Sequence, residues 1–124
     1  LGFTIPCLKN TQLGLNLERQ LSNGYRPNTD FDNKLRNLRL NGSHWQLFAG
    51  IQDKKFGANG FYTTLFPWQW EHTQTQLLTS RANLLINNIS VQPVFLYRRH
   101  DDHFLLDRNN PSFYQNHHHT HVYN

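Results

Sequence analysis

Residues Asp53–Glu71 read DKKFGANGFYTTLFPWQWE, with two glycines, one proline and six aromatics in a single stretch. The segment lies between two runs that read as strands. Ahead of it, His44 to Ile51 (HWQLFAGI) sets Trp45, Leu47, Ala49 and Ile51 on one side and His44 and Gln46 on the other. That period of two is the mark of a strand with one apolar face. Behind it, Trp70 to Leu85 is long, rich in Thr and Gln, and free of Gly and Pro. A strand, a long aromatic loop and a returning strand make a hairpin too open for a simple turn. Long loops on a rigid scaffold are where binding residues concentrate.

The same alternation runs outward in both directions. Thr11 to Gln20 places Leu13, Leu15 and Leu17 on one face and Gln12, Asn16 and Glu18 on the other. The cluster Ser22 to Asp30 (SNGYRPNTD) is dense in turn formers and ends that strand. Phe31 to Leu40 follows as a strand with a basic face. Asn41-Gly42 then reads as a tight hairpin turn, since both residue types tolerate positive φ. Beyond Leu85, Asn87-Asn88 reads as another short turn. Ile89 to His100 is a strand interrupted in its ladder by Pro93, which has no N–H to donate. Asp101 to Asn116 reads as a long loop and His117 to Tyr123 as a last strand. Before Thr11, Pro6 fits only an edge strand or the tail of a preceding one. The fold class expected is all-β, an antiparallel up-and-down meander of about six long strands over residues 1–124.

Connection lengths sort into two groups. Asn41-Gly42-Ser43 and Asn87-Asn88 are short, whereas Ser22–Asp30, Asp53–Pro67 and Asp101–Asn116 are long. Alternation of short and long connections puts the short turns on one rim and the long loops on the other. Transmembrane β-barrels are built this way, and their strands of about 9–11 residues match those read here.

Bulk composition is compatible with that architecture. Mean hydropathy is -0.70 and no apolar run approaches the roughly 20 residues of a transmembrane helix. A barrel strand, alternating by residue, is polar on average and escapes such a test. The lone Cys7 excludes an intrachain disulfide. With no Met and a start at Leu1, the sequence reads as a piece of a longer protein or a processed chain. The net charge of +4 is scattered among Asn and Gln, densest at Lys34, Arg36 and Arg39, and does not form the block that nucleic acid requires.

Three ordered segments carry a resemblance. Tyr25 to Asp32 (YRPNTDFD), Asp53 to Tyr62 (DKKFGANGFY) and Tyr97 to Phe104 (YRRHDDHF), continued by Asn110-Pro111 and Tyr114 to Tyr123, resemble consecutive barrel segments of TonB-dependent outer-membrane receptors. The likeness is to the vitamin B12 receptor-like branch of Bacteroidetes, and it spans about residues 20 to 123. The resemblance implies a receptor in the outer membrane of a Gram-negative bacterium. Such a receptor takes up a scarce nutrient, cobalamin-like or siderophore-like, and draws energy from TonB through an N-terminal region not contained here. Such barrels have about 22 strands, of which this chain would supply about six. Expected partners are the nutrient, TonB and outer-membrane lipid, without nucleic acid; no enzyme chemistry and no cofactor are expected.

Candidate ligand contacts are the aromatic and basic residues of the long loops: Tyr25, Arg26, Phe56, Phe61, Tyr62, Phe113 and Tyr114. Flat rings suit a large, partly apolar ligand, and Arg26 suits a carboxylate or phosphate on it. Trp68 and Trp70 read instead as an aromatic girdle at a membrane interface. His100, His103, His117, His118, His119 and His121 have ligand chemistry for zinc, nickel or copper. In the last strand His117, His119 and His121 point one way and His118 the other, so at most part of the run could converge; the histidines read as a polar cluster and no metal is assigned. Asp30, Asp32, Asp101, Asp102 and Asp107 lack the spacing of a calcium loop. No serine stands in a nucleophile elbow, and Glu18 and Glu71 are unpaired in sequence. The competing class is a small soluble antiparallel β module binding carbohydrate or protein through its aromatic loops. A metal-binding periplasmic protein is a third.

Overall fold

A computed structural model describes residues 1–8 and 10–124. Nine strands follow one another: β1 Gly2–Leu8, β2 Thr11–Ser22, β3 Phe31–Asn41, β4 Trp45–Gly57, β5 Trp70–Ala82, β6 Leu84–Ile86, β7 Ile89–Val91, β8 Val94–Leu105 and β9 Gln115–Tyr123. Seven form one sheet in the order β1-β2-β3-β4-β5-β8-β9, and β6 pairs with β7. Every pairing is antiparallel, and the described residues contain no helix. The all-β meander expected from alternation is therefore the fold. It has one strand more than the count of about six because Gly2–Leu8 pairs along β2. Pro6 sits beside a register shift in the β1–β2 ladder, an irregularity where proline's missing N–H is tolerated.

β5 to β8 is a single hairpin. Its register runs on unbroken from Trp70↔Leu105 to Ile86↔Ile89, although the ladder is interrupted near Pro93. Asn87 and Asn88 close it with φ of 48° and 65°, the left-handed pair of a two-residue type I′ turn. Asn41-Gly42 does not make such a turn. Asn41 ends β3, the chain reverses over Gly42–His44, and the Gly42 N–H donates to the Trp45 carbonyl at 2.9 Å. A Cβ at Gly42 would lie 2.2 Å from Trp45 Nε1, so glycine lets the indole fold over the turn. His44 consequently belongs to this turn and not to a strand face.

Two strands outrun their expected ends. β4 continues through Asp53–Phe56 to Gly57, and β8 through Asp101–Phe104 to Leu105. The extensions are polar ladders. Lys34 stands opposite Asp53, Asp32 opposite Lys55, and Asp101 opposite both Gln74 and His119. Opposite charges and hydrogen-bonding pairs hold a strand together where apolar alternation has stopped.

Cross-strand partners share a face, and the register divides the sheet cleanly. On one face lie Leu13, Leu15, Leu17, Leu38, Leu40, Trp45, Leu47, Ala49, Ile51, Leu78, Phe95 and Tyr97. The other carries Gln12, Asn16, Glu18, Asn33, Asn37, Gln46, Gln52, Thr73 and Thr75, with Phe48 and Leu77 among them. The apolar stretch shifts along the strands: it covers Leu13–Leu17 and Leu21 on β2, Trp45–Ile51 on β4, and Leu78 to Ile86 on β5 and β6. Toward the long-loop rim the same face becomes polar, with Arg19, Lys34, Asp53, Gln74, Asp101 and His119 in one cross-strand row. No second layer covers the apolar face among the described residues. Among the described residues only Ala58 and Leu105 are buried hydrophobics, while Leu17 and Ile51 are each 50% exposed.

Candidate functional site

Three loops meet at one rim: 23–30, 58–69 and 106–114. They are joined at Asn28, a left-handed residue (φ 56°) only 6% exposed. Its Nδ2 donates to the carbonyls of Pro67 at 2.8 Å and Gln69 at 2.6 Å. The Arg108 guanidinium donates to Asn28 Oδ1 at 3.0 Å and also to Asp30, and the Arg108 N–H reaches the Trp68 carbonyl at 2.8 Å. Backbone bonds complete the junction: the Gly57 N–H donates to Asp30 O at 2.8 Å and the Asn59 N–H to Asn28 O at 3.1 Å. A Cβ on Gly57 would lie 2.6 Å from the Asn28 carbonyl, so a side chain is excluded there.

The middle loop folds over the polar face. Gln69 is fully buried; its Oε1 accepts the Tyr62 N–H at 3.1 Å and its Nε2 donates to Thr63 O at 3.2 Å. The Tyr62 hydroxyl donates to Glu71 Oε1 at 2.7 Å, and its ring meets Phe104 edge-on at 5.1 Å. Glu71 and Phe104 are ladder partners on the polar face. Asp102 lies there also, with Oδ1 shielded from solvent and lacking a partner among the described residues. Desolvation of the hydroxyl, the Glu71 hydrogen bond and the charges of Glu71 and Asp102 together push Tyr62 up to about 12.

The seven candidate contacts are placed unequally. Phe61 is 79% exposed and meets Tyr62 at 4.9 Å, while Tyr62 itself anchors the loop. Phe113 packs on Phe66 at 5.7 Å, which ties the third loop to the second, and Tyr114 lies 6.5 Å from Phe104 of β8. Tyr25 is exposed and stacks under Arg26 at 4.9 Å. Phe56 is not at a loop tip: it lies in β4 opposite Phe31 and Glu71, with Lys54 Nζ 4.5 Å above its ring. Sequence reasoning missed Asn28, Gln69, Glu71, Phe104 and Arg108. A lone Gln between Trp68 and Trp70 was the one local signal.

The girdle expected of Trp70 does not match its position. Trp70 stands next to His72 and His103, at 6.0 and 6.1 Å, and His72, Gln74 and Gln76 separate it from the apolar stretch on its own face. Trp68 lies in the loop beside Arg108. The histidines divide as alternation requires. His103 and His117 stack at 3.9 Å on the apolar side's polar end, and His118 takes the other face opposite Asp102. Among the described residues, no three His, Cys, Asp or Glu side chains form a metal-ligand group. The loop-rim carboxylates are engaged elsewhere: Asp30 with Arg108, Asp32 with Arg19 and Lys34, Asp101 with Arg99 and His119. Asp107 accepts the Asn109 N–H at 2.9 Å.

No family model, curated protein or solved structure matches this chain.

Proposed function

We propose that this chain is a stretch of the barrel wall of a TonB-dependent outer-membrane receptor that takes up a scarce nutrient, cobalamin-like or siderophore-like. The observation that carries the proposal is the uncovered apolar face, bounded toward the long-loop rim by a charged belt. A soluble sheet of this size would expose far more contiguous apolar surface than water tolerates. Bilayer lipid supplies the missing layer. The slant of the apolar stretch fits tilted barrel strands. From Leu78 to Ile86 it spans about 26 Å along the chain, roughly 20 Å of height at a ~40° tilt, close to the ~25 Å band of such barrels. Under this proposal the polar face lines the lumen, the long loops face outward from the cell, and the short turns face the periplasm.

Within that frame the rim binds the nutrient. Phe61, Tyr25 with Arg26, and Phe113 with Tyr114 offer exposed rings and one cation, while Tyr62, Gln69, Asn28 and Arg108 hold the loops that present them. TonB would engage a region outside these residues. The test uses the full-length receptor with Phe61→Ala and Phe113→Ala, measuring surface expression and nutrient affinity together. Normal expression with affinity weakened about tenfold, or ~1.4 kcal/mol, supports contact. Unchanged affinity in both variants removes these rings from the site.

A further inference from the structure

Arg36 stands where an arginine is costly. On β3 it is flanked in its cross-strand row by Leu17 and Ile51, each 50% exposed, and Leu38 follows it on the same face. Directly toward the short-turn rim the next row reads Leu15, Leu38, Ala49, Leu78 and Tyr97. Ala49 is the smallest side chain of that row, and the surface sinks there into an open groove of about 430 Å³ with Arg36 at its upper edge. The other arginines of this face are paired, Arg19 with Asp32 and Arg99 with Asp101. Arg36 is exposed and makes neither an ion pair nor a side-chain hydrogen bond among the described residues.

We infer that this groove is a site for an anionic acyl lipid, its chain lying along Ala49 and its phosphate on Arg36. Charge complementarity selects the headgroup. The belt above the groove holds five cations, Arg19, Lys34, Arg36, Lys55 and Arg99, against three carboxylates, Asp32, Asp53 and Asp101. A guanidinium offers a planar fork of donors that matches phosphate oxygens two at a time. An arginine at the upper edge of an apolar band extends its aliphatic stem over apolar neighbours and delivers its charge at headgroup height. Leu17, Leu38 and Ile51 provide those neighbours.

The inference rests on the barrel proposal, and the experiment keeps the two apart. Full-length receptor is purified in neutral detergent, and its folded state is scored by the mobility difference between unboiled and boiled samples. Native mass spectrometry then counts bound dioleoylphosphatidic acid and dioleoylphosphatidylcholine for the wild type, Arg36→Gln, Ala49→Phe and, as a control on the opposite face, Arg39→Gln. Expected is a preference of about tenfold for phosphatidic acid in the wild type and in Arg39→Gln, corresponding to ~1.4 kcal/mol. In Arg36→Gln that preference falls to about twofold or less, and Ala49→Phe lowers the retention of both lipids. A folded barrel without the preference, or with the preference intact in Arg36→Gln, overturns the lipid site and leaves the barrel standing. A wild type with no heat-modifiable form overturns both.

Discussion

Replacing Asn28 by Ala should release the middle loop without unfolding the sheet beneath it. The side chain makes three hydrogen bonds, to Pro67 O, to Gln69 O and from Arg108. Each carbonyl left short of a donor costs about 1 kcal/mol, the low end of the range, because Gln69 O also accepts from the Ala58 N–H and the bond to Pro67 O is only part-buried. Arg108 keeps Asp30, so its loss is small. Alanine at φ 56° adds about 1 kcal/mol of backbone strain. The sum is about 3 kcal/mol, or roughly a hundredfold in loop opening. Hydrogen exchange read by mass spectrometry in the full-length protein should show amides of residues 58–70 exchanging about a hundred times faster, with the β3–β4 ladder unchanged. Asn28→Gly tolerates the left-handed backbone and should show about thirtyfold, isolating the hydrogen-bond share. Exchange within threefold of wild type in Asn28→Ala would mean that Asn28 does not hold the middle loop.

If the chain is barrel wall as proposed, Leu47→Arg should lower the stability of the full-length protein by about 2–4 kcal/mol, and Gln46→Arg by about 1 or less, measured by urea unfolding from lipid vesicles. Equal costs at the two sites would contradict the assigned faces. Gly57→Ala should cost about 1–3 kcal/mol, since its Cβ would lie 2.6 Å from the Asn28 carbonyl; the midpoint of the same transition reads it. The Tyr62 hydroxyl, pushed up to about 12, contributes its stabilisation fully below pH 10 and loses it as pH rises through the folded value. Absorbance near 295 nm, taken as wild type minus Tyr62→Phe, should therefore show phenolate appearing about 2 pH units above an ordinary tyrosine.

The regularities of the fold were legible where chemistry repeats locally. Leu13, Leu15 and Leu17 announce β2, Trp45, Leu47 and Ile51 announce β4, and Asn87-Asn88 announces the turn that φ values of 48° and 65° make. The strand ends were not legible. Asp53-Lys54-Lys55 looks like the start of a loop until Lys34 and Asp32 are set across from it, and nothing in the local sequence gives that register. Asn41-Gly42 carries the usual hairpin pair, yet the indole of Trp45, three residues on, needs the glycine for space and a different turn results. The site followed the same division. Its exposed rings could be found as aromatics in long loops. The clasp could not, because Asn28 and Arg108 lie 80 residues apart and meet only once three loops share a rim.

A barrel wall requires that the apolar face meet lipid. Its test is a single-cysteine spin-label scan of β4 from Trp45 to Ile51, in a cysteine-free background (Cys7→Ser included) of the full-length protein reconstituted in bilayers. Collision with oxygen, which concentrates in the membrane, should be high at positions 45, 47, 49 and 51, and collision with a water-soluble nickel chelate should be high at 46, 48 and 50. That two-residue alternation, in phase with the register, is the result predicted. Labels at 47 and 49 shielded from both agents would mean a closed protein core covers this face, and labels there that meet the nickel chelate would mean water does; either contradicts the account.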